Sequence, residues 1–564
     1  MARMSGKQIL AEMLIAEGAT EIFGNPGTSE SPFMDVLQDY PQVKYYVALQ
    51  EATAVGMAEG YARANGRPAF ANLHIAGGLA NGISMLYNCY KGGTPLVLTA
   101  GNADTRMNLT DPVLSGDLVE MTRQYTKWST EVQHAADIPV AMRRAFKEAK
   151  TPPTGPTFIS FPWDSMDDEA DVDIVPSAPG YFRIRPDGRA VDNAVAVLAK
   201  AENPVIVVGD RVAQSGALEE IVDVAELVGA KVFASSFSEV NFPTSHPQFR
   251  GVLNLNTGAA RQRLAGADVV LAVGTNVFSA FLYVPDPYLD PSTKIIHMDS
   301  SAKEIEKVYP TEVGLFCDPK SGLQDLAEVL RQEMSGSAQE AARTRAATIG
   351  DERAKAKEAY QAKVKENWDA SPISLERMMT ELAQTMDPRT IIVDESVTSR
   401  GALQSAVNFD EPDSLYGIRG GALGWAMPGC IGVKVAKPDR PVVAVVGDGA
   451  SLYTIQALWT AARYDIPVTW VVCNNRSYKI LKVNLEIYLR DMLKDQERQS
   501  EYMGMNFDLP LNVSGIAEGF GVHGKKVEAA NDLRPAFEEA FSLGKPAVVD
   551  VVIDGALKPS PSAF

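Results

Sequence analysis

The feature that most restricts this chain is a recurring run of short, almost wholly apolar segments, each ending in a small or polar turn. PLVLTAG, PTFISFP, PVIVVGD, DVVLAVG, KIIHMD, TIIVDES, PVVAVVGDGA, IPVTWVVCNN and PAVVDVVID all have this form, and helical patterns separate them. A strand that is apolar on both faces must be covered on both, and a parallel sheet between helices does that. At 564 residues the chain far exceeds the roughly 100–200 of one domain, and the runs fall into three blocks. The expected fold class is therefore α/β, with three consecutive open parallel-sheet domains at 1–180, 190–335 and 370–555. Residues 336–369 are rich in Ala, Lys and Glu without an apolar stripe, and predict an exposed helical connector. The acidic, proline-containing DDEADVDIVPSAPG at 167–180 reads as a linker.

Charge narrows the partners. Asp and Glu outnumber Lys and Arg by 71 to 53, a net charge of −18, which opposes nucleic acid and anionic membrane because both need a basic footprint. No stretch approaches the ~18–20 apolar residues of a membrane span. The start, MARMSGKQILAEML, lacks the apolar core of a secretion signal. Cys89, Cys317, Cys430 and Cys473 form no CxxC pair and no disulfide framework, which suits a reducing cytoplasm. A soluble enzyme acting on a small molecule is the expectation.

One unit in the third block carries specific chemistry. RPVVAVVGDGASLYTIQALWTAARYDIPVTWVVCNNRSY reads as strand, tight turn, helix, strand, turn. Gly447–Asp448–Gly449 stands where a strand ends and a helix begins, a place suited to a phosphate. A carboxylate there would repel a phosphate unless a divalent cation lay between them, with Asp448 as a hard oxygen ligand. Asn475 follows 27 positions later, and one βαβ step brings its amide oxygen beside Asp448 at the carboxyl edge of the sheet. Ser477 could add a backbone carbonyl.

GDG followed by NN resembles the binding motif of thiamin diphosphate-dependent enzymes. The resemblance extends over nearly the whole chain through IFGNPGTSE, YYVALQEATAVGMAEGYA, PAFANLHIAGG, PLVLTAG, GGALGWAMPGCIG and GDGASLYTIQALWTAARYDIP. Among such enzymes the chain is most similar to benzoylformate decarboxylases. The three blocks then correspond to pyrimidine-binding, middle and diphosphate-binding domains. The implied reaction is decarboxylation of a 2-keto acid to an aldehyde through an enamine, with thiamin diphosphate and Mg²⁺ as cofactors and no flavin expected. The alternative is a lyase or acyloin-forming carboligase of the benzaldehyde lyase, acetolactate synthase or 2-hydroxyacyl-CoA lyase type. A non-catalytic regulatory protein on the same fold would have little need of Glu51, Asp448 and Asn475 together.

The resemblance also assigns roles. Glu51, in ALQEA, reads by itself as a helix-start charge favoured by the dipole; the family places there the glutamate that bonds a pyrimidine nitrogen of the cofactor. His74, in NLH, reads by itself as a structural histidine; the family places there one that contacts the substrate and relays protons. Thr28, in GNPGTSE, is either a helix cap or the counterpart of a serine that binds the substrate carboxylate. The Gly421 carbonyl would accept from the aminopyrimidine, and Leu423 would wedge the cofactor into its bent shape. Thr398, Gly447, Gly449, Ala450 and Ser451 would border the diphosphate, and Asp448, Asn475 and Ser477 would hold the metal. His134, His246, His297 and His523 have no comparable context. Two departures bear on the substrate: Phe281 stands where these decarboxylases carry a second histidine, and Ile480 and Asn484 replace pocket residues. A homo-oligomer of at least two subunits, usually four, is implied as well.

Overall fold

Each apolar run becomes a strand, and the strands assemble into three six-stranded sheets whose neighbours all run parallel. A computed structural model describes residues 2–557 apart from 181, 182, 236, 257, 279, 281, 284 and 285. The first sheet runs Lys44–Val47, Glu21–Asn25, Ala69–Leu73, Leu96–Asn102, Thr157–Pro162, Trp128–Glu131. The third runs Leu415–Gly417, Ile391–Glu395, Val442–Gly447, Thr469–Asn474, Ala547–Val552, His523–Val527. Numbered within its own domain, each has the order 2-1-3-4-6-5, so the two sheets are topological copies. The middle sheet differs, with Phe249–Val252, Lys231–Ala234, Pro204–Val208, Val269–Val273, Lys294–Asp299 and Val313–Phe316 in the order 3-2-1-4-5-6. In such sheets the order reverses beside the first strand, and ligands bind at the carboxyl ends there.

The helix Glu51–Asn65 is buried along nearly its whole length and packs on Ala426–Ala436. Small residues permit this contact. A Cβ at Gly60 would lie 2.1 Å from the Gly429 carbonyl oxygen, and one at Gly432 would lie 1.9 Å from that of Met57. Two helices of different domains are thereby locked together. Hydrogen bonds extend the union: Tyr464 Oη donates to the Tyr45 carbonyl at 2.9 Å, and Thr460 Oγ1 to that of Val47 at 3.0 Å.

The linker expectation for 167–180 needs correction in part. Glu169–Val172 is a strand that pairs antiparallel with Ala2–Ser5, so four residues of the acidic stretch belong to the first domain and not to a linker. The alternation in EADV is visible but short, and its partner lies far away in sequence. Gly336–Glu366 is one long helix of which only Ala342, Ile349 and Val364 are buried, as its lack of a stripe demands. All four cysteines are free and buried. No helix among the described residues is long and apolar enough to cross a membrane.

Candidate active site

Polar residues gather at the carboxyl edge of the first sheet, around the point where its strand order reverses. Asn25 ends the first strand, Glu51 opens the helix after the second, and His74 follows the third. The Glu51 carboxylate is buried and accepts one amide on each oxygen: Asn25 Nδ2 donates to Oε1 and Asn81 Nδ2 to Oε2, both at 3.0 Å. Gly78 closes over it, since a Cβ there would come within 2.8 Å of Oε1. The side chain is thus held in one rotamer at the start of a buried helix.

Beside it lies a second buried carboxylate that the sequence analysis passed over. Glu30 accepts from the Gly27 and Gly101 amides at 2.9 and 2.7 Å and from Ser29 Oγ at 2.7 Å. The same carboxylate sits 3.0 Å from His74 Nδ1, as does Ser29 Oγ. A carboxylate on one ring nitrogen fixes the tautomer and leaves Nε2 free for other partners. Gly27 lies flat against the imidazole, and a Cβ at 27 would strike the ring at 2.2 Å. Thr28, next in the chain, is exposed at the start of the short turn Thr28–Glu30. A signal for Glu30 exists: a glutamate three residues after a helix-entry position reaches back to the entry amide, as Glu30 does to Gly27.

The third sheet provides the other group. Asp448 follows the strand Val442–Gly447 and is 1% exposed. Its Oδ1 accepts from the Gly449 amide at 2.9 Å and its Oδ2 from the Arg476 amide at 2.7 Å. Its two hydrogen-bond donors are backbone amides, and the Arg476 guanidinium turns to Glu528. Burial pushes the Asp448 carboxyl up to about 6, and Asp550 adds to the rise. A buried carboxylate without a cationic partner is costly, and a hard divalent ion is the counter-charge that its donor set fits. Asn475 belongs to the adjoining turn, where its Oδ1 accepts from Ser477 N and Oγ, each at 3.0 Å. Arg476 holds that turn in the left-handed region, with φ of 57°. Ser451 spends its buried hydroxyl on the Asp448 carbonyl at 2.7 Å. Gly449 must lack a side chain, because Tyr478 would lie 2.6 Å from its Cβ.

Between these groups runs the turn that carries Gly421 and Leu423. Glu395, fully buried and pushed up to about 8 by that burial, accepts from the Gly424 and Ala426 amides at 2.6 and 2.7 Å. Asn88 clasps Ala422 from the first domain, donating to its carbonyl at 2.9 Å and accepting from its amide at 3.0 Å. Gly421 itself is exposed at a φ of 97° with open space where a Cβ would stand. Leu423 is half-buried beside it, and Thr398 is half-buried in the turn Val397–Ser399 after Glu395. Among the described residues Glu51 bonds only within the first domain and Asp448 only within the third. Phe281, expected to replace a second histidine, lies outside the described residues. Ile480 and Asn484 sit half-buried on the helix Lys479–Ile487.

Comparison with known proteins places the chain as a whole. Three family models cover the chain in order: the thiamine pyrophosphate enzyme N-terminal binding domain at residues 4–126, the central domain at 191–326 and the C-terminal binding domain at 397–551. The chain is 31% identical to benzoylformate decarboxylase of Pseudomonas aeruginosa over 96% of its length and 97% of that protein. It is 30% identical to sulfoacetaldehyde acetyltransferase of Castellaniella defragrans, over 95% of its length and 90% of that protein. The crystal structure of benzoylformate decarboxylase from Polynucleobacter necessarius superposes with a TM-score of 0.86 at 26% identity, covering 99% of this chain and 100% of that one. The chain belongs to the thiamine pyrophosphate enzyme family, and it is a thiamine pyrophosphate-dependent enzyme of the decarboxylase and carboligase group.

Proposed function

We propose that this protein is a thiamin diphosphate- and Mg²⁺-dependent decarboxylase that converts a 2-keto acid of the benzoylformate type into an aldehyde and CO₂. The observation that carries the reading is the pairing, along one sheet edge, of a rigidly held Glu51 with a His74 oriented by buried Glu30. Thiamin diphosphate, when bound, supplies the carbon nucleophile and the sink for the electron pair released with CO₂. Glu51 holds a proton against the pyrimidine ring, where its two amide donors keep it aimed. His74 Nε2 and the Thr28 hydroxyl bind the substrate's carboxylate and carbonyl. The Gly421 carbonyl and Leu423 hold the pyrimidine side. Asp448, the Asn475 amide oxygen and the Ser477 carbonyl hold Mg²⁺, while Gly447, Gly449, Ala450, Ser451 and Thr398 border the diphosphate.

Two copies of the chain complete the site, one supplying Glu51 and the other Asp448. Among the described residues each group bonds only within its own domain, and both domains carry almost wholly exposed apolar side chains: Leu109 and Val113 in the first, Met503 and Leu509 in the third. Exposed apolar surface of this kind marks an interface. Four free, buried cysteines suit the cytoplasm. A second reading, carboligation, draws on the similarity to a probable acetolactate synthase large subunit of Methanocaldococcus jannaschii, 28% identical over 98% of this chain and 92% of that protein.

The deciding experiment measures CO₂ release from aromatic and aliphatic 2-keto acids, with and without an acceptor aldehyde. Release of CO₂ and free aldehyde from an aromatic keto acid without acceptor is the expected result. Turnover that requires the acceptor would transfer the assignment to carboligation.

A further inference from the structure

The three domains meet at a buried ionic cluster that the site described above does not use. Arg419 reaches from the third domain into the middle one, with Nε 3.4 Å from Asp210 Oδ2 and 3.3 Å from Ser238 Oγ, and Nη2 2.5 Å from Glu239 Oε1. Its Nη1 donates to the Gly92 carbonyl of the first domain at 2.6 Å. Arg63 joins from the first domain, donating to Glu239 at 3.1 Å, to the Gly417 carbonyl at 2.9 Å and to the Ser238 carbonyl at 2.6 Å. Arg63 and Arg419 are both buried, and the Arg63 guanidinium lies 4.8 Å over the Trp425 ring.

The middle domain gives up a binding crevice to make this cluster. Its strand order is the one in which dinucleotides bind beyond the first strand. Among the described residues, polar groups at that place are taken by other groups of the protein. The Gly209 amide donates to the Val273 carbonyl at 3.0 Å and the Arg211 amide to that of Gly274 at 3.2 Å. A Cβ at Gly209 would lie 2.5 Å from the Gly274 oxygen. Asp299, at the end of a neighbouring strand, is taken by Arg211 through two bonds of 2.7 and 2.6 Å. Asp210 accepts from Ser238 Oγ and from Asn241 Nδ2 and is ion-paired with Arg419.

Arg419 stands two residues before Gly421. Gly420, between them, has a φ of 75° and lies so close to Asn88 that a Cβ would stand 2.6 Å from its Oδ1. We propose that Arg419 is a positioning residue through which Asp210, Ser238 and Glu239 of the middle domain orient the Gly421 carbonyl and Leu423. The proposal rests on the thiamin diphosphate reading of the site. A guanidinium has five donors in a rigid fork, so four simultaneous partners fix its direction in a way that an ammonium cannot. The turn is then fastened at Arg419, Ala422 and Gly424, with Gly421 exposed between these points.

The test is hydrogen exchange in the full-length, cofactor-free protein, followed over residues 418–424 with the strand Val269–Val273 as internal control. Asp210→Asn is the main variant because it keeps the shape, and Arg419→Met is the second. Both variants are expected to speed exchange in 418–424 on the order of tenfold without a matching change in the control strand. Affinity for thiamin diphosphate with Mg²⁺ is expected to weaken by a similar factor. Unchanged exchange at 418–424 in Asp210→Asn, or a rise that is equal in the control strand, would overturn the proposal. Wild-type protein that does not bind thiamin diphosphate would remove the functional reading, while the exchange measurement still decides the coupling.

Discussion

Glu51→Gln is expected to lower turnover by on the order of 10²–10⁴-fold, the usual worth of a positioned proton-transfer group, while the fold and cofactor affinity survive. The geometry explains both halves of that expectation. Both partners of Glu51 are asparagine amides that donate at 3.0 Å. A glutamine of the same shape keeps one acceptor and turns an NH₂ toward the other asparagine, whose amide flips to offer its oxygen. What is lost is the carboxylate's capacity to hold and release a proton. Single-turnover CO₂ release, read beside calorimetric binding of thiamin diphosphate, separates the two. Near wild-type turnover would show that Glu51 is only a helix-start charge.

Asp448→Asn is expected to act with opposite signs on two quantities. Affinity for thiamin diphosphate with Mg²⁺ should fall by at least on the order of 10²-fold, since loss of a group that merely supports a metal ligand already costs ~10–100-fold. The metal-free protein should melt no lower than the wild type at pH 7–8. Burial pushes the Asp448 carboxyl up to about 6. Above that pH the folded chain therefore carries a charge that solvation would favour in the unfolded state, and stability is lost as pH rises through it. A neutral amide removes this cost and still accepts one of the two backbone hydrogen bonds. A residue with a purely structural role would lose stability on substitution. Unchanged cofactor affinity would mean that no bridging cation sits at Asp448.

The fold was legible because it rests on strands apolar on both faces, and a parallel sheet between helices covers runs such as PVVAVVG and PVIVVGD on both sides. The chain start was not. Ala2–Ser5 and Glu169–Val172 are short, partly exposed strands that form only because they meet, and neither has a periodicity strong enough to announce itself. In the candidate site, motif residues could be named because glycines and turns bracket them. Glu30, Asn25, Asn81 and Glu395 were missed for a common reason. Each acts by reaching a partner distant in sequence: Glu30 to His74, Asn25 and Asn81 to Glu51, and Glu395 to Gly424. Arg419 is the extreme case, since its partners lie in two other domains and only the folded chain brings them together.

The central claim is that Glu51 and Asp448 belong to one site assembled from two copies of the chain. Mixing the two variants, each inactive alone, tests it most directly. In a mixed dimer one site contains both substitutions and the other contains neither. Random assortment makes half the dimers mixed, so activity should return to about a quarter of the wild-type level. If each site lay within a single chain, every site would carry one substitution and no activity would return. Recovery near a quarter is the predicted result, and a mixture as inactive as its components would contradict the account.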